Sequence, residues 1–490
     1  MHGSIATDAG RPTPVGAAGP AWGPAPRYAD ASPRLPRRGP TTRLGLRLNE
    51  IPPRTLGLAL VAVAALVYVV SNPLHDDLYN HFVWQADAWL HGRLAIAFPV
   101  SSGPHQNSYF QDVVPDPGHP GLGLLPFPPL PALALLPFVA ILGLATPASL
   151  IAALLGALDV GLAWRLCRRL AADRGVVLIT TMFFAFGTVA WYAAAIGTTW
   201  FLAHVVAVGL SLLAVTIAID ADLALRGAGA PGRSAGLERV PSSGTATGSH
   251  HLGGGRAAFI AGLLLGFATL ARLTVIFGLP FLFLVGGGTW RSRLVLAVVG
   301  AAIPLVVLAG YNVASTGQPF SPAYATIARI EYHPEPALYH ANWGVEDVRY
   351  IPQNLPLALF NPPEIRPECG LALLDPNCGT VRPDPIGMGL ILVSPAYLLA
   401  LPALRRLRRD RVVAAGGLAV MLIGLADAAH FSQGWVQFGW RFSNDFVAFA
   451  LVPVTLAIAR MGLNRRVLFL VGLSILVNLW GVYWGVTLGW

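Results

Sequence analysis

Apolar runs, each close to the ~20 residues that a bilayer-crossing helix needs, fill most of this chain from residue 55 to its end. Only 12% of the residues are charged and 54% are hydrophobic. A soluble protein carries about twice that charged fraction. In the hydrocarbon of a bilayer every backbone polar group must be satisfied internally, which leaves helices or closed barrels. Runs of this length select helices. The expected fold class is therefore all-α, a polytopic transmembrane helix bundle, multi-pass in the plasma (inner) membrane. The lipid bilayer is its first expected partner. The net charge of +9 comes from a chain whose basic residues are all arginine. In such a chain the charge speaks to orientation, and no nucleic-acid partner is expected.

The arginines choose between two topologies. Residues 122–145 form an apolar run interrupted by Pro126, Pro128, Pro129, Pro131 and Pro137. If this run does not cross, eleven spans remain: 55–71, 148–166, 175–195, 199–220, 257–271, 274–289, 294–314, 386–403, 412–430, 443–460 and 467–488. Cytoplasmic segments then hold 26 arginines and external ones 7. If the run crosses, everything after it inverts, to 14 inside and 19 outside. The positive-inside rule favours eleven spans, N-terminus in and C-terminus out. The proline-rich run becomes a re-entrant or juxtamembrane helix, since proline breaks the helical ladder.

Residues 1–50 are rich in Pro, Ala, Gly and Arg, without periodicity, and read as a disordered cytoplasmic tail. No apolar core with a small-residue cleavage site precedes the first span, so no signal peptide is expected. Residues 51–314 form a membrane module with an outer loop at 72–147 and a Gly/Ser/Pro/His cytoplasmic linker at 223–256. The pair His250-His251 in that linker reads as incidental. Residues 315–385 form an external loop dense in proline and aromatics, and 386–490 the C-terminal helices. Within the external loop, Cys369 and Cys378 bracket CGLALLDPNC. In an exported loop that spacing suggests a disulfide. Metal binding is disfavoured, because no His or further Cys lies close in sequence. Cys167 stands alone beside an arginine cluster.

The stretch richest in chemistry is SNPLHDDLYNHFVWQADAWLHGRLAIAFPV, Ser71 to Val100. It opens with adjacent acids, Asp76 and Asp77. Leu78, Phe82, Ala86, Trp89 and Leu90 then recur at helical spacing with Trp84 beside them, as expected of a helix lying along a bilayer surface. Acids held at the membrane edge are a candidate reaction centre. A solvated loop with Asp77 as helix N-cap fits the same residues.

This segment resembles the first outer loop of the GT-C class of integral-membrane glycosyltransferases, which includes polyprenyl-phosphate-mannose protein mannosyltransferases and aminoarabinose transferases. That class places an acid, often an Asp-Glu pair, just after the first span. An aromatic, an A-x-A-x-L-x-G-R-L-like helix and a Pro-Pro-Leu follow. Here these are Asp76-Asp77, Tyr79, Ala86 to Leu94, and Pro128-Pro129-Leu130. Asp replaces Glu at the second acid. The likeness covers residues 60–290 and rests on the order of short motifs.

The resemblance implies sugar transfer from a polyprenyl-phosphate-linked donor to a hydroxyl of a glycan, lipid or protein acceptor. Asp76 or Asp77 is the implied base. Tyr79, His81 and Arg93 flank the pair as candidate substrate-binding residues. Arg272, in FATLARLTVIFG, matches a basic position of the class and would bind the lipid phosphate through its guanidinium fork. It also reads as a snorkelling interfacial arginine. Arg441 lies in a Gly-Trp-Arg-Phe sequence of the class and would share that role, or form an i,i+4 ion pair with Asp445. His204, at the start of a span, stands near where many members carry a second acid. It is a candidate site residue or a polar helix-start residue. Two carboxylates can hold a divalent metal, but no ligand cluster requires a metal, and no other cofactor is implied. The rival class is a transporter or flippase of a lipid-linked substrate, which calls for charges at the bilayer midplane and inverted repeats. A non-catalytic scaffold would make no use of the acids.

Overall fold

The computed structural model describes residues 48, 50–73, 79–97, 112–116, 118–228, 253–321, 323, 325, 326, 340, 342–370, 374, 375, 377–405 and 409–490. Asp76, Asp77, His105, the His250-His251 pair and nearly all of the N-terminal tail lie outside the described residues.

The chain is mostly helical. Helix α1 (Pro53–Ser71) starts on proline, which suits the first helical turn. It buries only Gly57, Ala64 and Tyr68, a narrow stripe, and turns Leu58 (70% exposed) and Leu66 outward. On a water-soluble protein such a face would be costly; in a bilayer it is the expected lipid contact. Helix α2 (His81–Leu90) follows, then short strands β1 (Ile96–Ala97), β2 (Val114–Pro115) and β3 (Leu122–Leu124). The strands form one antiparallel sheet in the order β1-β3-β2, pairing Ile96 with Gly123 and Val114 with Leu124.

Helix α3 (Leu130–Leu142) has 13 residues. At 1.5 Å per residue it is about 20 Å long, short of the ~30 Å hydrocarbon core. Its start is tied down by the Leu130 N–H, which donates to the Leu270 carbonyl at 3.0 Å. Helix α2 packs on it through Phe82, Val83, Ala86, Leu135 and Val139. The expected one-sided surface helix is therefore corrected in part. Phe82 and Ala86 do face inward, but Val83, Gln85 and Ala88 are buried too, because α3 and the small sheet enclose α2 on other sides.

Among the described residues, seven helices are long and apolar enough to cross a membrane: α1, α4 (Ala148–Leu170), α7 (Thr199–Ala228), α10 (Trp290–Thr316), α14 (Arg411–Ala428), α15 (Ser443–Met461) and α16 (Arg465–Thr487). An eighth is formed if α5 (Arg174–Phe186) and α6 (Ala190–Ile196), bent by 48°, make one span. Between α7 and α10 come α8 (Gly254–Thr269), a 3₁₀ segment (Leu273–Gly278) and α9 (Leu279–Leu284), the last two together ending short of the run 274–289 read from sequence. After α10 come α11 (Ile351–Phe360), strands β4 (Glu364–Ile365) and β5 (Val381–Arg382), and the short helices α12 (Leu390–Val393) and α13 (Leu401–Leu404). Residues 386–403 are thus broken pieces rather than one helix. Pro395 opens a 3₁₀ turn and Pro402 is the second residue of α13, since neither can continue the ladder before it.

Close helix contacts explain the glycines of α8. A Cβ at Gly262 would lie 2.2 Å from the Ala297 carbonyl oxygen, and one at Gly266 2.7 Å from that of Ala301. Residues later in α8 therefore meet residues later in α10, so the two run parallel, while Gly254 at the start of α8 meets Gly287 just after α9. Helix α9 returns between them. Helix α15 is buried continuously from Ser443 to Ile458 and forms the centre of the bundle. Cys369 and Cys378 are joined in a disulfide with Cα atoms 5.2 Å apart, as expected from sequence; Cys167 is buried.

Candidate functional site

Charged side chains collect at two opposite ends of the bundle. At one end Arg169 of α4 meets Asp220 of α7 at 2.7 Å, Asp222 joins Arg226 and Arg411, and Arg460 reaches Asp410 at 2.9 Å. These are the ends of α4, α7 and α15 and the start of α14. The other end gathers the starts of α7 and α15, the end of α14 and the break after α8.

Asp445 is the hub of that second end. Its side chain is fully buried. Arg272 donates to both carboxylate oxygens, from Nε at 3.1 and 3.2 Å and from Nη2 at 3.0 Å. Thr274 donates its hydroxyl to Oδ2 at 2.6 Å, and His204 Nδ1 lies 2.7 Å from Oδ1. A carboxylate only accepts, so Nδ1 carries the proton, and Nε2 is the ring's other polar atom. That Nε2 is buried without a hydrogen-bond partner. So is Oδ2 of Asp427, at the end of α14 beside Asp445 and Arg272. The Arg272 guanidinium also lies 5.0 Å from the Phe442 ring centre, and Arg441 lies 5.3 Å from the same ring and 5.8 Å from that of Phe201. A shared aromatic sets both guanidiniums around one point.

Local sequence explains each placement. Helix α8 ends at Thr269, and Arg272 in extended backbone begins the 3₁₀ turn that carries Thr274. Helix α15 starts at Ser443, so Asp445 sits in its first turn, where a carboxylate favours the helix dipole. Arg441 precedes the helix. The expected i,i+4 alternative is corrected accordingly: Asp445 turns to Arg272, Thr274 and His204, which are distant in sequence.

A second cluster adjoins the first through α7. The Thr199 hydroxyl donates to the Tyr79 carbonyl at 2.6 Å, and the His81 backbone N–H donates to the same hydroxyl at 3.0 Å. The His81 ring lies among Trp84, Phe127 and Trp200, with the Tyr79 ring stacked at 6.2 Å. Just upstream, the Asn72 amide donates to the Ala195 carbonyl at 3.0 Å. Asn72 and Tyr79 are thus anchored within a few residues of each other, at the entry to α7.

Arg93 is not brought to the centre. It is exposed beyond the end of α2. Asp116 and His119 pair with each other at 2.9 Å in the sheet loop. Burial alone would push Asp116 up, but the Gly118 N–H and His119 hold its carboxyl below the usual range. Among the described residues, no three His, Cys, Asp or Glu side chains come together as a metal site would require.

Sequence reasoning did not reach Asp445 as the hub, nor Thr274 and Asp427. Asp445 and His204 are 241 residues apart, and no local period links them. The one available signal was an acid or a histidine next to the end of an apolar run, repeated at 204, 427 and 445.

Compared with known proteins, the chain matches no family model, no curated protein and no solved structure.

Proposed function

We propose that this chain is a membrane glycosyltransferase that moves a sugar from a polyprenyl-phosphate donor to an acceptor hydroxyl. One observation carries the reading. Two guanidiniums, Arg272 and Arg441, share an aromatic ring with a centre in which His204 Nε2 and Asp427 Oδ2 are buried without a hydrogen-bond partner among the described residues. Guanidinium suits phosphate oxygens. Unsatisfied polar atoms suit the hydroxyls of a sugar, because leaving them unpaired in a buried site costs free energy. A sugar phosphate supplies both.

Roles follow from geometry. Asp445 is a positioning residue: it fixes the plane of Arg272 and the tautomer of His204. Its oxygens are already engaged by three side chains, which makes it a poor proton acceptor. Asp76 and Asp77 remain the proposed base on the strength of their sequence context. The anchoring of Asn72 to Ala195 and of Tyr79 to Thr199 supports the reading, since both anchors lie close in sequence to His204. Arg272 and Arg441 neutralise the leaving lipid phosphate, the charge that grows in the transition state. The site end carries few arginines and the opposite end many, which supports an external site under the positive-inside rule. It also supports the eleven-crossing arrangement, with α8 and the 3₁₀–α9 segment as a short hairpin.

The test is transfer of radiolabelled sugar from a polyprenyl phosphate by the purified protein. Loss of transfer in Arg272→Ala, with the fold retained, is the expected outcome.

A second reading, a transporter of a lipid-linked substrate, is favoured by one specific observation. The pair α5–α6 is bent at a break, and a buried carboxylate stands beside it halfway along α4. Broken helices and intramembrane acids are what transporters use. Substrate flux across vesicles without label transfer would bring that reading forward.

A further inference from the structure

Asp159 occupies the middle of α4 and plays no part in the centre just described. It is 6% exposed, and its carboxyl group receives no hydrogen bond or ion pair from any described residue. It lines a small pocket together with Tyr68 of α1, Phe184 of α5, Ala190 and Ala193 of α6, and Asn444 of α15. The space open to the centre of a water-sized sphere is about 10 Å³, which fits one small occupant. Asn444 supplies an independent observation. It is 2% exposed, and both its Oδ1 and its Nδ2 are buried without a partner. The orphaned amide of Asn444 and the carboxyl group of Asp159, from two different helices on one pocket, mark a built site.

The packing confirms that room has been made for the carboxyl group. Gly209 of α7 faces it, and a Cβ there would lie 2.5 Å from Oδ1. The chemistry narrows the ligand. A carboxylate with no counter-charge in a low-dielectric interior takes either a proton or a cation. A metal cation needs several oxygen ligands. Among the described residues, the polar side chains lining the space are only Tyr68, Asp159 and Asn444, and two carbonyls before the break between α5 and α6 already accept hydrogen bonds. Thr188 donates to the Phe184 carbonyl at 2.7 Å, and Tyr68 donates to that of Ala185 at 2.7 Å. What remains is one carboxyl group and one amide. Among the described residues, no cationic group lines the pocket around Asp159. Helix α1 presents Tyr68, α5 and α6 present Phe184, Ala190 and Ala193, α7 presents Gly209, Val205 and Val208, and α15 presents Asn444.

We propose that Asp159 and Asn444 form a proton-binding site inside the helix bundle, in which a protonated Asp159 carboxyl and the Asn444 amide share one bound water. The carboxyl O–H donates to that water. The water donates to Asn444 Oδ1 and accepts from Nδ2, so both orphaned groups are satisfied. Because Asn444 adjoins Asp445 in the chain, the site lies directly behind the Arg272–Asp445–His204 centre. The inference does not rest on the sugar-transfer reading.

Infrared spectroscopy of the full chain in lipid nanodiscs at pH 7 tests it. Wild type should show a carboxylic-acid carbonyl band that Asp159→Asn removes. The band should shift in D₂O and shift again in Asn444→Ala. If Asp159→Asn instead removes intensity from the ionised-carboxylate region, or if radioactive sodium is retained by wild type and not by Asp159→Asn, the proposal is overturned in favour of a cation site. A band that neither D₂O nor Asn444→Ala moves removes the water. Failure of Asp159→Asn to fold also contradicts the proposal, because the amide is the neutral isostere of the protonated acid.

Discussion

Arg272 and Asp445, 173 residues apart, meet through three hydrogen bonds between one guanidinium edge and both oxygens of one carboxylate. The pair joins the break after α8 to the first turn of α15, the most buried helix. It thereby fixes a cation at a helix end without leaving it to the mobility of an exposed side chain. Removing one partner of such a buried pair strands the other charge.

Asp445→Ala should therefore destabilise the protein by about 3–5 kcal/mol and lower its thermal unfolding midpoint in detergent. His204→Asn, which keeps a donor toward Asp445, should cost much less stability. Equal midpoints for Asp445→Ala and wild type would show that the pair contributes nothing to the fold.

Arg272→Lys keeps the charge and loses the fork. It should bind polyprenyl phosphate more tightly than Arg272→Ala and more weakly than wild type. Isothermal titration with a short-chain polyprenyl phosphate measures this. Identical affinity in all three proteins would remove Arg272 from phosphate binding.

How much of this was readable beforehand depends on range. The membrane class followed from charge content and run length. The interruption of the apolar run 122–145 followed from its five prolines, and α3 is 13 residues long. The Cys369–Cys378 pairing followed from their isolation in one loop. The Asp445 centre did not follow, because its members are brought together by helix packing alone. Arg272 and His204 could each be singled out at a helix end, but nothing local says that both turn to one carboxylate. Residues 386–403 lack the expected single helix. Their apolar content predicts a span, and Pro395 and Pro402 divide it into short pieces.

The β4–β5 hairpin beside the disulfide should respond to acid. Burial alone would push Glu364 up, but Arg382 and Arg366 hold its carboxyl below the usual range. A lowered folded-state value means that the carboxylate adds stability above its unfolded value, and that this is lost as pH falls through the folded one. Hydrogen exchange of the Arg366 amide, which donates to the Thr380 carbonyl across the hairpin, should accelerate on acidification below the ordinary glutamate range. In Glu364→Gln it should be fast already at neutral pH. Exchange independent of pH, after correction for the intrinsic rate, would contradict the assignment.

The topology is checked by labelling. A cysteine placed by Ser243→Cys, in the linker expected to be cytoplasmic, should resist an impermeant thiol reagent in intact cells and react after permeabilisation. Mass spectrometry of the unreduced protein should show Cys369 joined to Cys378, with Cys167 alkylated only on unfolding. Labelling at position 243 in intact cells would invert the arrangement.

The central claim is that sugar leaves a polyprenyl phosphate at the end of the bundle where Arg272, His204 and Asp445 meet, with the acid pair at 76–77 as base. The direct measurement is transfer of radiolabelled sugar from polyprenyl-phosphate donors by purified wild type, Asp76→Asn, Asp77→Asn and Arg272→Ala. Wild type should transfer label. Asp76→Asn should lose ~10²–10⁴ in rate while still binding donor lipid, Asp77→Asn should lose less, and Arg272→Ala should lose both transfer and donor binding. Full transfer by both aspartate variants and by Arg272→Ala, each expressed and folded as wild type, would contradict the account.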